Sequence, residues 1–231
     1  MEASSPQVLS QSDNNRNDTA ATSSSSAYAS ASSQGAIATS IARLKEININ
    51  FLALDFDRTI LSCHTGGRWK GTVDELLEYV RPVFIQLIPA AQAAGIEVAV
   101  VTFTHQISLV RAVLDSIMLS AREDGDNDYN NNNNNNNATA TRTPSGRIPI
   151  RGNDRSWTYN GKGSRSGKQA HMASAVAELE YRFGVKITKA TTLLIDDDSR
   201  NIRTALQHGV RALRFNPEKP HRLLPEIIKL S

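Results

Sequence analysis

The sequence predicts an α/β fold of the Rossmann-like, three-layer type, with a mainly parallel sheet covered by helices on both faces. Short apolar runs, such as residues 97–102 (EVAVVT) and 191–195 (TTLLI), have the length and composition of buried strands. Segments with apolar residues at helical spacing separate these runs, as between Met172 and Phe183. Strands that alternate with helices at this spacing indicate βαβ crossovers and hence a parallel sheet.

The individual elements follow from the same signals. The predicted strands cover residues 47–54, 97–102, 147–151, 191–195 and 210–215. Helices are predicted between them, including residues 107–120, 168–183 and 199–208. Their boundaries are marked by a Thr-x-x-Glu capping box, an initiating proline and terminal glycines, namely Thr72 with Glu75, Pro82, Gly95, Gly184 and Gly209.

Two segments have compositions that do not support a packed core. Residues 1 to about 40 are rich in Ser, Ala, Asn and Thr, and the few large apolar side chains cannot offset the entropy lost on ordering. We therefore predict a disordered tail over residues 1–45 and a folded domain over residues 46–231. Residues 124–143 contain an unbroken Asn run and are predicted to form an inserted low-complexity loop.

Charge and cysteine content restrict the class of protein. The chain has 26 basic and 23 acidic residues, a balance too even to indicate a polyanionic partner. Its single cysteine, Cys63, excludes an intramolecular disulfide framework and a cysteine-rich zinc site, so we expect a cytoplasmic protein, with the nucleus as an alternative. No apolar run approaches the roughly 20 residues that span a bilayer, and no membrane contact is expected.

The groups capable of chemistry gather where predicted strands end. Ligands of open parallel sheets bind outside the carboxyl ends of the strands, so these groups would share one site. Several carboxylates at buried strand ends repel one another unless a cation is present, and ligands made only of oxygen favour Mg²⁺. The candidate residues are Asp55, Asp57, Thr102, Asp196 and Asp197, together with Lys168 at the start of a helix. Asp198 is interpreted as a helix N-cap.

These residues stand in a pattern that resembles the haloacid dehalogenase superfamily of phosphatases, over roughly residues 47–215. DFDRT at residues 55–59 matches the DxDxT motif that follows an apolar strand. Thr102 matches the Ser or Thr that ends a later strand, and Lys168 matches the family lysine. Asp196 and Asp197 match the paired aspartates of the last motif. Two alternatives stay open, because Thr104 competes with Thr102 and Lys162 competes with Lys168.

The resemblance implies a phosphatase that forms an aspartyl-phosphate on Asp55. Asp57 would protonate the leaving group and then activate water. Thr102 and Lys168 would donate to the phosphoryl oxygens. The implied ligands of Mg²⁺ are Asp55, the backbone carbonyl of Asp57, Asp196 and Asp197.

The same resemblance bears on the substrate. Family members that act on small metabolites often carry a cap domain inserted after the first or second motif, and the predicted elements here leave no room for one. We therefore expect an uncapped, open site that accepts a phosphoprotein or another bulky phosphate ester. His64, Arg68 and Trp69 lie where the family places a mobile flap, although packing explains Trp69 equally well.

A competing hypothesis is a catalytically silent module with the same fold. It would bind phosphorylated or nucleic-acid ligands through a basic loop in which aromatic rings could stack on bases. The loop residues concerned are Arg151, Arg155, Trp157, Tyr159, Lys162 and Arg165. Because Asp55 and Asp57 are both intact, the enzyme is the favoured interpretation and a nucleic-acid partner is the less favoured one.

Overall fold

The computed structural model describes residues 21–66, 68–123 and 144–231 of the chain. It confirms the predicted fold class, because five parallel strands form one sheet with helices on both faces. The strands are β1 (Phe51–Leu54), β2 (Glu97–Val101), β3 (Ile150–Arg151), β4 (Thr192–Asp196) and β5 (Arg211–Arg214). Their order across the sheet is β3-β2-β1-β4-β5, so β1 lies at the centre between β2 and β4.

The described residues form seven α-helices. They are α1 (Ala21–Glu46), α2 (Val73–Leu77), α3 (Pro82–Ala93), α4 (Ile107–Glu123), α5 (Gln169–Phe183), α6 (Ser199–Gln207) and α7 (Leu223–Ile228). The predicted boundaries are confirmed where they can be checked. The hydroxyl of Thr72 accepts from the backbone N–H of Glu75, and the Glu75 carboxylate accepts from the N–H of Thr72. Gly184 ends α5 at φ 67°, a left-handed conformation that glycine adopts without strain.

Side chains that alternate along each strand form two cores. Leu52 and Leu54 of β1 pack with residues of α3 and α4 on one face of the sheet. Phe51 and Ala53 pack with residues of α5 and α6 on the other face. This period-two alternation on a sheet buried on both sides produces the three layers.

The last part of the predicted tail belongs to the domain, and the prediction of a tail reaching residue 45 is wrong there. The chain divides between Gln34 and Gly35 rather than at residue 45. Ile37, Ile41 and Leu44 recur at helical spacing on α1 and are buried in the core. Because many small residues surround these three, the composition of the segment does not reveal the short apolar stripe. Residues 1–20 and the Asn-rich insert, residues 124–143, lie outside the described part of the chain.

Two strands are much shorter than predicted. β1 begins at Phe51 rather than at residue 47, because Asn48 adopts a left-handed turn at φ 60° after α1. β3 has two residues, since Pro149 has no N–H to donate, although its carbonyl still accepts from Val100. Among the described residues, no helix combines the length and the apolar content needed to span a membrane.

Candidate active site

A cleft of about 540 Å³ lies at the carboxyl ends of the central strands. Leu54 of β1 is in register with Val100 of β2 and Ile195 of β4, which brings the residues after these strands to one place. The predicted residues Asp55, Asp57, Thr102, Asp196 and Asp197 all line the cleft. The strand order therefore assembles one site from segments that are distant in sequence.

Three carboxylates form an acidic cluster in this cleft. Asp55, Asp196 and Asp197 each offer an oxygen atom, and these atoms lie within 4.8 Å of one another. Burial, followed by the charge of Asp55, raises the pKa of Asp196 to about 7. Burial also raises the pKa of Asp55 and of Asp197. The cluster therefore has the donor atoms to hold a metal ion, and a cation there would relieve the repulsion among the carboxylates.

Lys168 is the lysine that reaches the acidic cluster. Its side chain is 1% exposed, and Nζ donates to Oδ1 of Asp55 over 2.7 Å and to the carbonyl of Val101 over 2.6 Å. The ammonium group also lies 4.1 Å from the centre of the Phe103 ring. Lys162, the alternative in sequence, is exposed on the preceding loop and does not line the cleft. The geometry thus brings together Asp55 and Lys168.

Asp57 lines the same cleft but is not one of the three carboxylates of the acidic cluster. It lies in a tight turn, Phe56–Ile60, in which Arg58 adopts a left-handed conformation at φ 61°. One carboxylate oxygen accepts from the N–H of Thr65 over 2.9 Å, and the other accepts from the Thr65 hydroxyl over 3.2 Å. Thr65 therefore fixes the orientation of this carboxylate. The proposed metal contact through the backbone carbonyl of Asp57 stays a prediction.

Thr102 and Thr104 both line the cleft and both are nearly buried. The Thr102 hydroxyl accepts from the N–H of Thr104 over 3.2 Å, and the Thr104 hydroxyl accepts from the N–H of Gln106 over 3.3 Å. Each hydroxyl accepts its bond through a lone pair, and no described bond uses the hydroxyl hydrogen. That hydrogen is therefore available to donate to an anion. The structure places two suitable hydroxyls at the site, so the choice between them stays open.

Several neighbours of the acidic cluster were not predicted from the sequence. Asn201 donates from Nδ2 to Oδ2 of Asp196 over 2.9 Å, and the N–H of Asp198 donates to the other oxygen over 2.8 Å. Nε of Arg58 lies 3.6 Å from a carboxylate oxygen of Asp197. A signal for Asn201 was present, because it lies in the first turn of the helix that follows the paired aspartates. Asp198 caps that helix, as predicted.

The predicted flap residues differ in position. His64 lines the cleft, and its Nδ1 lies 3.6 Å from a carboxylate oxygen of Asp57. Trp69 instead donates from its indole nitrogen to the carbonyl of Thr72 and packs edge-on against Tyr79. Arg68 is exposed and does not line the cleft. The packing explanation therefore holds for Trp69, and His64 is the one of the three that lines the cleft.

The basic loop is largely engaged in structural contacts. Arg151 is nearly buried and pairs with Glu178 of α5 over 2.6 Å. Trp157 donates to the carbonyl of Gly152, and its ring packs against buried His171. Arg165 donates to a backbone carbonyl within the loop, that of Tyr159. These contacts leave Arg155 and Lys162 as the predicted loop cations for which no hydrogen bond or ion pair is described.

His171 is a further residue near the site that was not predicted from the sequence. It is 7% exposed, and neither ring nitrogen has a hydrogen-bond partner among the described residues. Burial, reinforced by the charges of Lys168 and Arg151, lowers the pKa of His171 to about 4, which keeps the ring neutral. Its ring also packs edge-on against Phe103, a residue of the cleft wall that is 45% exposed. His171 therefore supports the aromatic part of that wall.

Comparison of the chain with known protein families, with curated proteins and with solved structures gives no match.

Proposed function

We propose that the protein is a magnesium-dependent phosphomonoester hydrolase that acts through an aspartyl-phosphate on Asp55. The observation that carries the proposal is the placement of Asp55 between Lys168 and the carboxylates of Asp196 and Asp197. The pattern of motifs that resembles an uncapped haloacid dehalogenase phosphatase supports the same function. Apart from Lys168, which is buried beside Asp55, the groups that the proposed reaction uses line one cleft.

The donor set of the acidic cluster suits Mg²⁺. All three side chains offer oxygen atoms, and no histidine or cysteine is among them. We propose that Asp55, Asp196 and Asp197 hold the ion, with the backbone carbonyl of Asp57 as a further ligand. When bound, Mg²⁺ supplies positive charge that reduces the repulsion between a carboxylate nucleophile and a phosphate group.

The first chemical step is assigned to Asp55 and Asp57. An oxygen of Asp55 forms a bond to phosphorus while the bond from phosphorus to the ester oxygen breaks. The departing oxygen takes a proton from Asp57, which must be protonated at the start of the step. In the second step Asp57 accepts a proton from water, the water oxygen attacks phosphorus, and Asp55 is released with inorganic phosphate. The hydrogen bonds from Thr65 hold the Asp57 carboxylate for both transfers.

Donors around Asp55 would stabilise the transferring phosphoryl group. Lys168 is held at the carboxylate by its bond to the Val101 carbonyl, so little reorganisation is required during the reaction. The hydroxyl hydrogen of Thr102 or of Thr104 would supply a second donation. We propose that Phe103, which separates these two threonines and is 45% exposed, contacts the group attached to the phosphate.

An open site is part of the proposal. In the described chain, the residues between Asp55 and Thr102 are used by a loop, two helices and a strand of the main fold. Between Thr102 and Lys168 the described residues form α4, β3 and the basic loop. Since the described residues of these two stretches form no domain that would enclose a small substrate, we propose a phosphoprotein or another bulky phosphate ester as the substrate.

Hydrolysis of an aryl phosphate tests the activity. Purified protein is expected to release phosphate in the presence of Mg²⁺, to stop when the metal is chelated, and to lose turnover in Asp55→Asn. Asp74→Asn serves as a matched control, because Asp74 is an exposed carboxylate of α2 that does not line the cleft. Undiminished turnover in Asp55→Asn, or in chelator, contradicts the proposed mechanism.

A further inference from the structure

A second cleft of about 430 Å³ adjoins the candidate active site. Arg214 and Pro217 belong to the walls of both clefts, so the two form one continuous surface at the carboxyl end of β5. We propose that the second cleft binds a further anionic group, a phosphorylated or acidic side chain, of a phosphopolypeptide substrate. The inference rests on the proposed phosphatase function and specifies the substrate for the same site.

The cations of the second cleft are only partly neutralised. Arg222 pairs with Glu226 over 2.9 Å, and Glu226 is the one carboxylate in the described lining. Nε of Arg214 makes a long contact of 3.4 Å to the carbonyl of Asp197 and no ion pair within the described chain. No hydrogen bond or ion pair is described for the side chain of Lys219. Both Arg214 and Lys219 are exposed, so an incoming anion can reach them.

A fourth cation, Arg81, lies behind the cleft. Phe215 lines it, and the guanidinium carbon of Arg81 lies 5.0 Å from the centre of the Phe215 ring. Arg81 is 9% exposed, its Nε has no hydrogen-bond partner, and no described carboxylate lies within ion-pair distance. Glu218 and Asp197 attract Arg81 from beyond that distance, but neither lines the second cleft. The local balance is therefore positive, which favours an anion.

The lining favours a polypeptide over a polynucleotide. Single-stranded nucleic acids are usually bound by exposed aromatic rings on which successive bases stack. Phe215 is the one aromatic side chain in the described lining of the second cleft, and it is 2% exposed. Leu213 and Pro217, both partly exposed, provide apolar surface beside the cations. Apolar side chains of a peptide can pack there while its anionic groups reach Arg214 and Lys219.

The substrate preference of the full-length protein tests this inference. Peptides would carry one phosphoserine as the target and either Ala or a second phosphoserine at increasing distance from it. We expect kcat/KM to be about tenfold higher for the best doubly phosphorylated peptide, equivalent to about 1.4 kcal/mol. The ratio of kcat/KM for the doubly phosphorylated peptide to kcat/KM for the singly phosphorylated peptide should fall toward one in Arg214→Gln/Lys219→Gln. It should fall partly in Lys219→Gln, which alters only an exposed loop residue. Arg203→Gln/Lys186→Gln, two exposed cations outside both clefts, should retain the wild-type ratio.

Three outcomes overturn the inference. They are an equal rate on singly and doubly phosphorylated peptides, a preference that survives in the double variant, and a dependence on these cations for 5′-phosphorylated oligonucleotides but not for peptides. Failure of the wild-type protein to hydrolyse an aryl phosphate would instead refute the proposed function. In that event, calorimetry with the doubly phosphorylated peptide decides the inference: weaker binding to the double variant supports it, and equal binding overturns it.

Discussion

Nδ2 of Asn201 donates to Oδ2 of Asp196 over 2.9 Å, which connects the first turn of α6 to the acidic end of β4. The other carboxylate oxygen of Asp196 accepts from the N–H of Asp198. Both contacts favour the ionised carboxylate, yet burial and the nearby charge of Asp55 outweigh them and raise the pKa to about 7. Asp196 is therefore held in position at a cost in stability, which the proposed Mg²⁺ would offset.

The first prediction concerns the dependence of stability on pH. Between pH 3.8 and about pH 7, folded Asp196 retains a proton that the unfolded chain releases, so its contribution to the free energy of unfolding falls as pH rises. We expect Asp196→Asn to stabilise the metal-free protein relative to wild type at pH 8 by on the order of 2 kcal/mol, and by much less at pH 4. Denaturant titrations of both proteins at these pH values measure the difference.

Added Mg²⁺ should make wild type more stable than Asp196→Asn, which reverses the order expected for the metal-free proteins. A ligand that binds only the folded state raises the free energy of unfolding by mass action, so wild type should gain stability with added Mg²⁺ and Asp196→Asn should gain little. Asp74→Asn is again the control, and its response should equal that of wild type. A constant difference between Asp196→Asn and wild type at every pH and every Mg²⁺ concentration would contradict this account.

The second prediction separates the two candidate lysines. Lys168→Met keeps the length of the buried stem but removes the donor at Asp55, and we expect kcat to fall by about 10²-fold or more. Lys162→Met alters an exposed side chain outside the cleft, so kcat should remain near the wild-type value. Steady-state kinetics on an aryl phosphate measure both, and the reverse pattern would assign the role of the lysine in the proposed mechanism to position 162.

The third prediction concerns Thr65 as a positioning residue for Asp57. Thr65→Val keeps the backbone donor but removes the hydroxyl that reaches the second carboxylate oxygen. We expect kcat to fall by about tenfold because the proton donor is less well oriented, and the pH profile of kcat to shift. Thr65→Ser restores the hydroxyl and should restore both values. A loss of thermal stability with an unchanged pH profile would indicate a purely structural role.

The fourth prediction concerns the boundary of the folded domain. Removal of residues 1–34 should leave the melting temperature and turnover nearly unchanged, because the core lies in Gly35–Ser231. Leu44→Ala should cost about 2–5 kcal/mol, since its side chain is fully buried in α1. Thermal melts of the truncated and substituted proteins provide the comparison. A large loss of stability after the truncation would place the boundary nearer the N-terminus.

The sequence predicted the central sheet well, because the strands buried on both faces leave continuous apolar runs such as residues 98–101. The sequence predicted the residues of the cleft for a related reason. A polar group that directly follows a buried parallel strand lies at the carboxyl edge of the sheet. α1 was missed because three apolar residues among many small ones produce a weak compositional signal. The contacts of Thr65 and Asn201 could not be predicted, because they depend on how a loop and a helix turn orient side chains.

The outer strands of the sheet limit how partners can bind. β3 is two residues long, and β5 begins and ends with an arginine. Short strands and terminal charges are the usual protection against another chain adding itself to a sheet by backbone hydrogen bonds. β-Augmentation is therefore disfavoured as a route of recruitment, and a polypeptide partner would have to be recognised through its side chains.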